Sequence, residues 1–247
     1  MVVTEEQKKE SQAFYRKALD LLEESDSDFM LGGAFAMFQY TGIYRDTKDL
    51  DVFCKPSEYP AILKHFASKG FETDLYDVRW LAKVYHGEYF IDIIFSTVNN
   101  ICTVDDSWYE HATEGEFIGK KVKFISAEDL FWCKSYVHNR ERFDGADINH
   151  LILKRGKELN WERVLFRMEQ HWHILLSEII MFQFVYPSEF HDIIPKWLFD
   201  ELMSRAQDQY ELPPPREKVC RGPIIDNTQY KIDVMEWGYK SYTITTI

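Results

Sequence analysis

The sequence predicts an α+β fold, a mixed β-sheet flanked by helices and followed by a helical C-terminal part. Up to about residue 125, short apolar or alternating runs typical of strands are interleaved with helical patterns. Beyond that point apolar residues recur mostly at helical spacing, until three consecutive prolines at 213–215 stop helix formation. We therefore expect a core domain at residues 1–125, a helical part at 126–212 and an extended tail at 213–247.

The individual elements follow from the same hydrophobic pattern. An amphipathic helix at 5–24 is followed by a short strand at 29–31, the turn Gly32-Gly33 and a helix at 34–40. Strands are predicted at 49–53, 71–76, 80–86, 89–95 and 121–125, with a helix at 57–69 and a hairpin turn at 86–88. Later helices are predicted at about 127–139, 145–155, 160–185 with a break, and 189–210, and one tail strand near 241–246.

Aromatic residues in the C-terminal helices are interpreted as core, since an aromatic stripe at helical spacing usually packs inside a protein. The residues concerned are Trp161, Trp172, Phe182, Phe184 and Trp197.

The overall charge argues against a broad nucleic-acid-binding surface. The formal net charge is −12, whereas affinity for a polyanion comes mainly from Lys and Arg that neutralise phosphates. A local exception is residues 134–167, where eight basic side chains accompany five acidic ones. This segment can hold the end of a tRNA, or it can be an ordinary solvated helical surface.

Cysteine usage and the N-terminal sequence predict a cytoplasmic protein. The four cysteines, at positions 54, 102, 133 and 220, form no CxxC pair, so neither a zinc ribbon nor a disulfide framework is indicated. The first residues do not resemble a signal peptide, and no apolar run approaches the roughly 20 residues that a membrane span needs. We expect no membrane association.

Two aspartates on one predicted strand form the first candidate for chemistry. Side chains alternate along a strand, so Asp49 and Asp51 project to one side and Leu50 and Val52 to the other. Two carboxylates at close range repel each other, but together they suit Mg²⁺, which prefers oxygen ligands from carboxylates and phosphates. Such a pair is weak evidence by itself.

A third aspartate adds to this pair. Asp92 lies in an otherwise apolar run at 89–95 that is expected to be a buried strand. An unpaired buried charge costs several kcal/mol, so Asp92 must meet a cation, a hydrogen-bond network or a metal. The alternative to a metal is a buried ion pair.

Gly32-Gly33 supplies a possible phosphate site between a strand and a helix. Glycines there leave backbone N–H groups accessible, and a helix N-terminus favours negative charge. A tight turn without a ligand is the alternative for the dipeptide alone. The order of elements favours the ligand site: strand, Gly-Gly, helix, a strand with Asp49 and Asp51, and a later strand with Asp92.

Taken together, these segments match a known pattern. They comprise Leu31-Gly32-Gly33-Ala34-Phe35-Ala36, then Gly42, then Arg45-Asp46-Thr47-Lys48-Asp49-Leu50-Asp51-Val52, and Asp92 on its own strand. The pattern resembles the DNA polymerase β-like nucleotidyltransferase superfamily, in particular its AbiEii-type branch, over about residues 28–155. A looser match continues through Lys134, Arg140, Asp144 and Asp147. Ala34 replaces the commoner Ser, which leaves one triphosphate contact to the backbone amides, and Tyr40-Thr41 replaces the commoner His before Gly42.

The resemblance implies an activity and a set of site residues. It implies transfer of a nucleoside monophosphate from an NTP to an acceptor hydroxyl, with release of pyrophosphate, at two Mg²⁺ ions or at Mn²⁺. Asp49, Asp51 and Asp92 would hold the metals, and Asp92 would also help to deprotonate the acceptor. The nucleotide would be bound by Gly32, Gly33, Arg45, Lys134 and Asp147, although Lys134 with Asp147, or Arg45 with Asp46, can equally form simple ion pairs.

Several alternatives stay open at this stage. The acceptor can be a tRNA end, a protein side chain or a small molecule, and the resemblance suggests a toxin-antitoxin system with a cognate antitoxin. A non-catalytic nucleotide- or partner-binding module on the same fold is the main alternative, and a metal-dependent phosphohydrolase is another. The filled set of three aspartates favours an enzyme.

Overall fold

The computed structural model of the protein describes residues 5–241, and the side chains of residues 9–241. It divides into two compact units, one ending at Ser126 and the other beginning at Ala127. The first unit contains the β-sheet, and the second is mainly helical. This confirms the α+β class with a mixed sheet followed by a helical part.

The first unit alternates strands and helices. In chain order its elements are α1 (Glu5–Glu24), β1 (Met30–Leu31), α2 (Gly33–Thr41), β2 (Asp49–Phe53), α3 (Tyr59–Ser68), β3 (Glu72–Asp77), β4 (Leu81–His86), β5 (Tyr89–Ile94), α4 (Asp106–Glu110), β6 (Thr113–Phe117) and β7 (Lys120–Phe124). The predicted helices and strands of this region are confirmed to within two residues. The predictions missed α4 and β6.

The strands form one seven-stranded mixed sheet with the order β3-β4-β5-β2-β1-β7-β6. Strands β2 and β5 are parallel, as are β1 and β7, and the other neighbours are antiparallel. Since β2 and β5 are central neighbours, residues from two distant parts of the sequence are brought side by side. The register pairs Asp51 with Asp92.

Alternation along the central strands separates a buried face from a polar face. On β2, Leu50 and Val52 are fully buried, whereas Asp49 and Asp51 are partly exposed. On β5, Ile91 and Ile93 are fully buried. Helix α3 packs against β3 and β4, and α2 packs against β2. The aspartates are therefore placed on the polar face by the hydrophobic pattern of their own strands.

Strand β6 was missed because its sequence carries no burial pattern. Its residues Thr113-Glu114-Gly115-Glu116-Phe117 are all at least partly exposed. Among the described strands it pairs with β7 alone, at the edge of the sheet. Its structure follows from backbone pairing through the turn at 118–119 and not from side-chain burial, so the hydrophobic pattern holds no signal for it.

The second unit is built from packed helices. Its elements are α5 (Ala127–Lys134), α6 (Gly145–Arg155), α7 (Trp161–Arg167), a 3-10 turn (Glu169–His171), α8 (Trp172–Val185), α9 (Phe190–Ile193), α10 (Lys196–Glu211), β8 (Val219–Cys220), a 3-10 turn (Gly222–Ile224), α11 (Lys231–Met235) and β9 (Lys240–Ser241). Helix α5 packs against α6 and α7, and α8 packs against α6 and α10.

Several expectations for this unit were wrong. The helix predicted to reach residue 139 ends at Lys134, where the Ser135 hydroxyl bonds to the Phe131 carbonyl and His138 forms an isolated β-bridge to Phe143. The predicted extended tail contains α11 and the parallel pair of β8 and β9. Of the strand expected near 241–246, residues 242–246 lie outside the described residues.

The interpretation of the aromatic residues was only partly right. Trp161 and Phe182 are buried, but Phe184 is 81 % exposed and Trp197 is 45 % exposed. Helix α8, which carries Phe184, has apolar residues on most of its circumference, so periodicity could not separate its buried side from its exposed side. Within the described part of the chain, no helix combines the length and apolar character needed to cross a membrane.

Candidate active site

Three carboxylates meet on the polar face of the sheet. Asp49 and Asp51 on β2 and Asp92 on β5 each offer one oxygen, and these oxygens lie within 4.8 Å of one another. The parallel pairing places Asp51 directly beside Asp92, and the two-residue repeat of β2 places Asp49 on the same face. Within residues that the structure describes, no other three His, Cys, Asp or Glu side chains come together in this way.

The Gly32-Gly33 turn lies directly against this cluster. The Gly32 amide donates to the Asp51 carbonyl at 2.9 Å, which extends the pairing of β1 with β2 by one residue. Gly33 has a φ of +52°, and a Cβ atom there would collide with the Asp51 carboxylate. Helix α2 begins at Gly33, so its first-turn amides, which have no partner within a helix, lie close to Asp51.

Two residues that the sequence analysis did not single out support Asp49. The Thr47 hydroxyl donates to the Asp49 carboxylate, and the Tyr15 hydroxyl on α1 donates to the Thr47 carbonyl at 3.2 Å. Burial, and after it the negative charge of Asp49, raises the pKa of Tyr15 well above its usual range. Tyr15 therefore stays a neutral hydrogen-bond donor beside the cluster.

Lys83 is a third residue that the sequence analysis missed. It lies on β4 directly opposite Asp92, and its Nζ atom is 2.5 Å from Asp92 Oδ1. The same ammonium lies 4.3 Å from the centre of the Phe90 ring. A signal for this pair was present, because a hairpin turning at residues 87–88 pairs His86 with Tyr89 and hence Lys83 with Asp92.

Opposing effects act on the pKa of Asp92. Burial raises its pKa, and the hydrogen bond and charge of Lys83 offset that rise only in part, while nearby Asp49 adds to it. The sequence analysis gave a metal site and a buried ion pair as alternative interpretations of Asp92. The structure contains the ion pair with Lys83 and also the carboxylate cluster, so the two interpretations are compatible.

The other candidate residues of the sequence analysis are described by their own surroundings. Arg45 is in the loop before β2. Lys134 and Asp147 belong to the second unit, where Lys134 Nζ lies 2.7 Å from Asp147 and 2.8 Å from Asp144. The side chains of Lys134, Asp144 and Asp147 are each at most 8 % exposed. Burial alone would raise the pKa of Asp144, but the Arg142 hydrogen bond and the charge of Lys134 lower it.

The expected basic surface at 134–167 is also smaller than its sequence indicated. Arg163 and Arg167 are only 9 and 10 % exposed and bind the fully buried Asp129. With Lys134, three of the eight basic side chains are thus committed to interior ion pairs. A buried carboxylate requires such partners, and the sequence could not show which of the arginines supply them.

A comparison with protein families now identifies the chain. A family described as "Nucleotidyl transferase of unknown function (DUF2204)" matches residues 11–171. The chain belongs to this nucleotidyltransferase family. The matched region contains the carboxylate cluster and the Gly32-Gly33 turn. No curated protein sequence matches it significantly.

The chain is similar to several solved structures, one of them with a TM-score above 0.5. The solution structure of the antibiotic-resistance factor ANT(2″)-Ia has a TM-score of 0.51 and 15 % identity, covering 68 % of this chain and 95 % of that one. The lincosamide antibiotic adenylyltransferase LnuA, bound to lincomycin, has a TM-score of 0.41 and 20 % identity, and the match covers 60 % of this chain and 96 % of that one. JHP933 from Helicobacter pylori has a TM-score of 0.39 and 10 % identity, and the match covers 85 % of this chain and 98 % of that one. At 15 % identity the likeness to ANT(2″)-Ia concerns the fold alone.

Proposed function

We propose that the protein is a metal-dependent nucleotidyltransferase that moves a nucleoside monophosphate from an NTP to an acceptor hydroxyl and releases pyrophosphate. The observation that carries this proposal is the meeting of Asp49, Asp51 and Asp92 on adjacent strands, within 4.8 Å of one another. Membership of the nucleotidyltransferase family supports the reaction class.

The donor set fits Mg²⁺ or Mn²⁺. All three groups are carboxylates, which are hard oxygen ligands, and no sulfur or imidazole group belongs to the cluster. Three like charges this close are unfavourable without positive charge nearby, and Lys83 supplies only one such charge. Bound there, divalent cations would stabilise charge on the attacking and leaving oxygens of the transfer.

The residues around the cluster can bind and orient the nucleotide. The Gly32 amide already donates to the Asp51 carbonyl. The Gly33 amide and those of the first turn of α2 are therefore our candidates for hydrogen bonds to a phosphate oxygen beside Asp51. Arg45, in the loop between α2 and β2, is our candidate for a further phosphate contact. Thr47 fixes the orientation of the Asp49 carboxylate. Lys134 and Asp147 remain predicted nucleotide contacts.

A cavity next to Asp49 is our candidate for the acceptor site. It has a volume of about 740 Å³, a size typical of small-molecule sites, and Thr47 and Tyr15 form part of its wall. The Thr47 hydroxyl therefore connects the cavity to the Asp49 carboxylate. Seven aromatic rings line it: Tyr15, Phe35, Phe38, Tyr44, Tyr89, Phe117 and Phe124.

The charge of this cavity favours an acceptor over a triphosphate. Three described lining residues are acidic, Asp46, Glu88 and Glu116, and the basic Lys48 is ion-paired with Glu88 at 3.0 Å. A triphosphate would be repelled by such a lining, whereas a neutral or cationic molecule with apolar rings would not. We therefore propose a small molecule as the acceptor, ahead of RNA or protein.

The test is transfer of label from each α-³²P-labelled NTP, with Mg²⁺, into the small-molecule, RNA and protein fractions of a cell extract. The isosteric variants Asp51→Asn and Asp92→Asn should lower the rate about 100-fold or more, because charge stabilisation in the transition state is lost. Asp77→Asn is the matched control, since Asp77 is an aspartate of β3 that binds Arg79 and lies outside the cluster.

The outcomes separate the alternatives. Label that depends on Asp51 and Asp92, but not on Asp77, supports the proposal, and the labelled fraction gives the acceptor class. NTP binding with no transfer in any fraction would favour a binding module, as one half of a toxin-antitoxin pair for example. Release of labelled nucleotide without an acceptor would favour a phosphohydrolase.

A further inference from the structure

The ammonium group of Lys83 is a cation already positioned at the carboxylate cluster. Its Nζ lies 2.5 Å from Asp92 Oδ1, and both side chains are only 15 % exposed. The two residues are direct cross-strand neighbours, and Asp51 is the next residue in the same row of the sheet. Lys83 is therefore on the polar face that carries the three aspartates.

The Lys83 ammonium also lies beside two aromatic rings. Its ammonium lies 4.3 Å from the centre of the Phe90 ring and 5.5 Å from that of Tyr76. Both rings offer a negative π face that attracts a cation. The long, flexible stem of lysine allows the charge to leave Asp92 while it stays over these rings.

We infer that Lys83 is a built-in counter-ion that occupies Asp92 when no divalent cation is bound and is displaced from it when one binds. Lys83 thereby lowers the affinity of the cluster for metal in the absence of nucleotide. The inference rests on the proposed function, because it concerns the metal site of that reaction. It adds a residue that regulates how the site is loaded.

Charge balance gives the physical reason. The Lys83 ammonium offsets one of the negative charges of the three carboxylates when all are ionised, and its loss removes that offset. A divalent cation that enters must also overcome the repulsion of the ammonium and take over its hydrogen bond to Asp92. Both effects oppose metal binding in the presence of Lys83.

In the experiment, the 247-residue chain is titrated with Mn²⁺ at pH 7.5 without nucleotide. Electron paramagnetic resonance measures the binding. Two neutral variants, Lys83→Met and Lys83→Gln, are compared with the charge-retaining Lys83→Arg. Each neutral variant should bind Mn²⁺ about tenfold more tightly than the wild type, as expected for removal of one opposing charge in partly solvated surroundings. Lys83→Arg should stay near the wild-type affinity.

A matched control exists in the same unit. Lys55, which follows β2, also pairs with an aspartate, Asp106, at 3.0 Å and also lies over an aromatic ring, that of Tyr109. Lys55→Met should leave Mn²⁺ affinity unchanged, because its partner is not in the cluster. Asp51→Asn should abolish the binding and so assign it to the cluster.

Thermal unfolding gives a second readout. Without metal, the neutral Lys83 variants should unfold at a lower temperature than the wild type, because the cluster has lost its counter-ion. Saturating Mn²⁺ should raise their unfolding temperature more than that of the wild type. A lysine that merely orients Asp92 predicts the opposite, since its loss would weaken metal binding.

Two results would overturn the inference. One is unchanged or weaker Mn²⁺ binding by both neutral variants, and the other is tightened binding by Lys83→Arg as well. In either case, Mn²⁺ binding that Asp51→Asn abolishes would leave the proposed metal site intact. If neither the wild type nor any Lys83 variant binds Mn²⁺ through Asp51, with or without an NTP, the proposed function fails and the inference fails with it.

Discussion

Gly33 lies so close to Asp51 that a Cβ atom at position 33 would collide with the Asp51 carboxylate. The backbone at Gly33 is also left-handed, with a φ of +52°. Two independent constraints therefore require glycine at this position, one steric and one conformational. The carboxylate and the turn that begins α2 form a single structural element, in which the position of one fixes the position of the other.

Replacement of Gly33 by alanine should disrupt this element. We expect Gly33→Ala to lower transferase activity at least about 100-fold, since displacements of about 1 Å at a reacting centre have effects of that size. Gly42→Ala is the matched control, because Gly42 also has a positive φ, +74°, but no atom lies within 4 Å of a Cβ placed there. Comparable loss of activity in both variants would show that backbone strain, and not the contact with Asp51, is responsible.

The sequence predicted the face on which the aspartates lie but not all of their neighbours. The two-residue spacing of Asp49 and Asp51 on an alternating strand determined that they share a face, and the apolar surroundings of Asp92 indicated a special role. The parallel pairing of β2 with β5 depends on tertiary packing, so no local pattern could place Asp92 beside Asp51. The hairpin register could have revealed Lys83.

Other contacts were beyond prediction for a different reason. Tyr15 reaches Thr47 from a helix 32 positions earlier in the chain, and a tyrosine on an amphipathic helix usually indicates only packing. Likewise, Lys134 and Asp147 matched a family pattern, but their spacing could not show that Asp144 shares the same lysine. Long-range polar contacts depend on how helices pack, which single-sequence periodicity does not describe.

The Thr47 hydroxyl should contribute to activity through Asp49. Thr47→Val removes the hydroxyl at nearly constant volume, so we expect activity and Mn²⁺ affinity to fall about 10- to 100-fold, the usual effect of losing an outer hydrogen bond to a metal ligand. Thr47→Ser retains the hydroxyl and should retain most of both quantities. Equal losses in the two variants would mean that the methyl group of Thr47, and not its hydrogen bond to Asp49, matters.

The buried ion pairs of Lys134 should stabilise the second unit. Lys134→Met leaves Asp144 and Asp147 buried without their shared cation, so we expect the free energy of unfolding to fall by about 3–5 kcal/mol. Urea unfolding measures this change. NTP affinity, determined on the same variant under conditions where it stays folded, tests the predicted nucleotide contact separately. A stable variant with weakened NTP binding would mean that Lys134 serves the ligand and not the fold.

Protonation of His171 should destabilise the protein as the pH falls. Burial, followed by the positive charges of Arg221 and His173, lowers the pKa of His171 below its ordinary value of 6.5. Between the lowered value and 6.5, the unfolded chain therefore binds more protons at this position than the folded one. The free energy of unfolding must fall as the pH decreases through this range.

The measurement is urea unfolding at pH 7.5 and pH 5.5 for the wild type and His171→Gln. Glutamine keeps a hydrogen-bonding group near the Tyr136 hydroxyl, which lies 2.8 Å from His171 Nδ1, but it cannot take up a proton. The loss of stability between the two pH values should therefore be smaller in the variant than in the wild type. His111→Gln, at an exposed position, controls for the removal of a histidine. An equal loss in wild type and His171→Gln would show that the neutral imidazole of His171 does not contribute to the pH dependence.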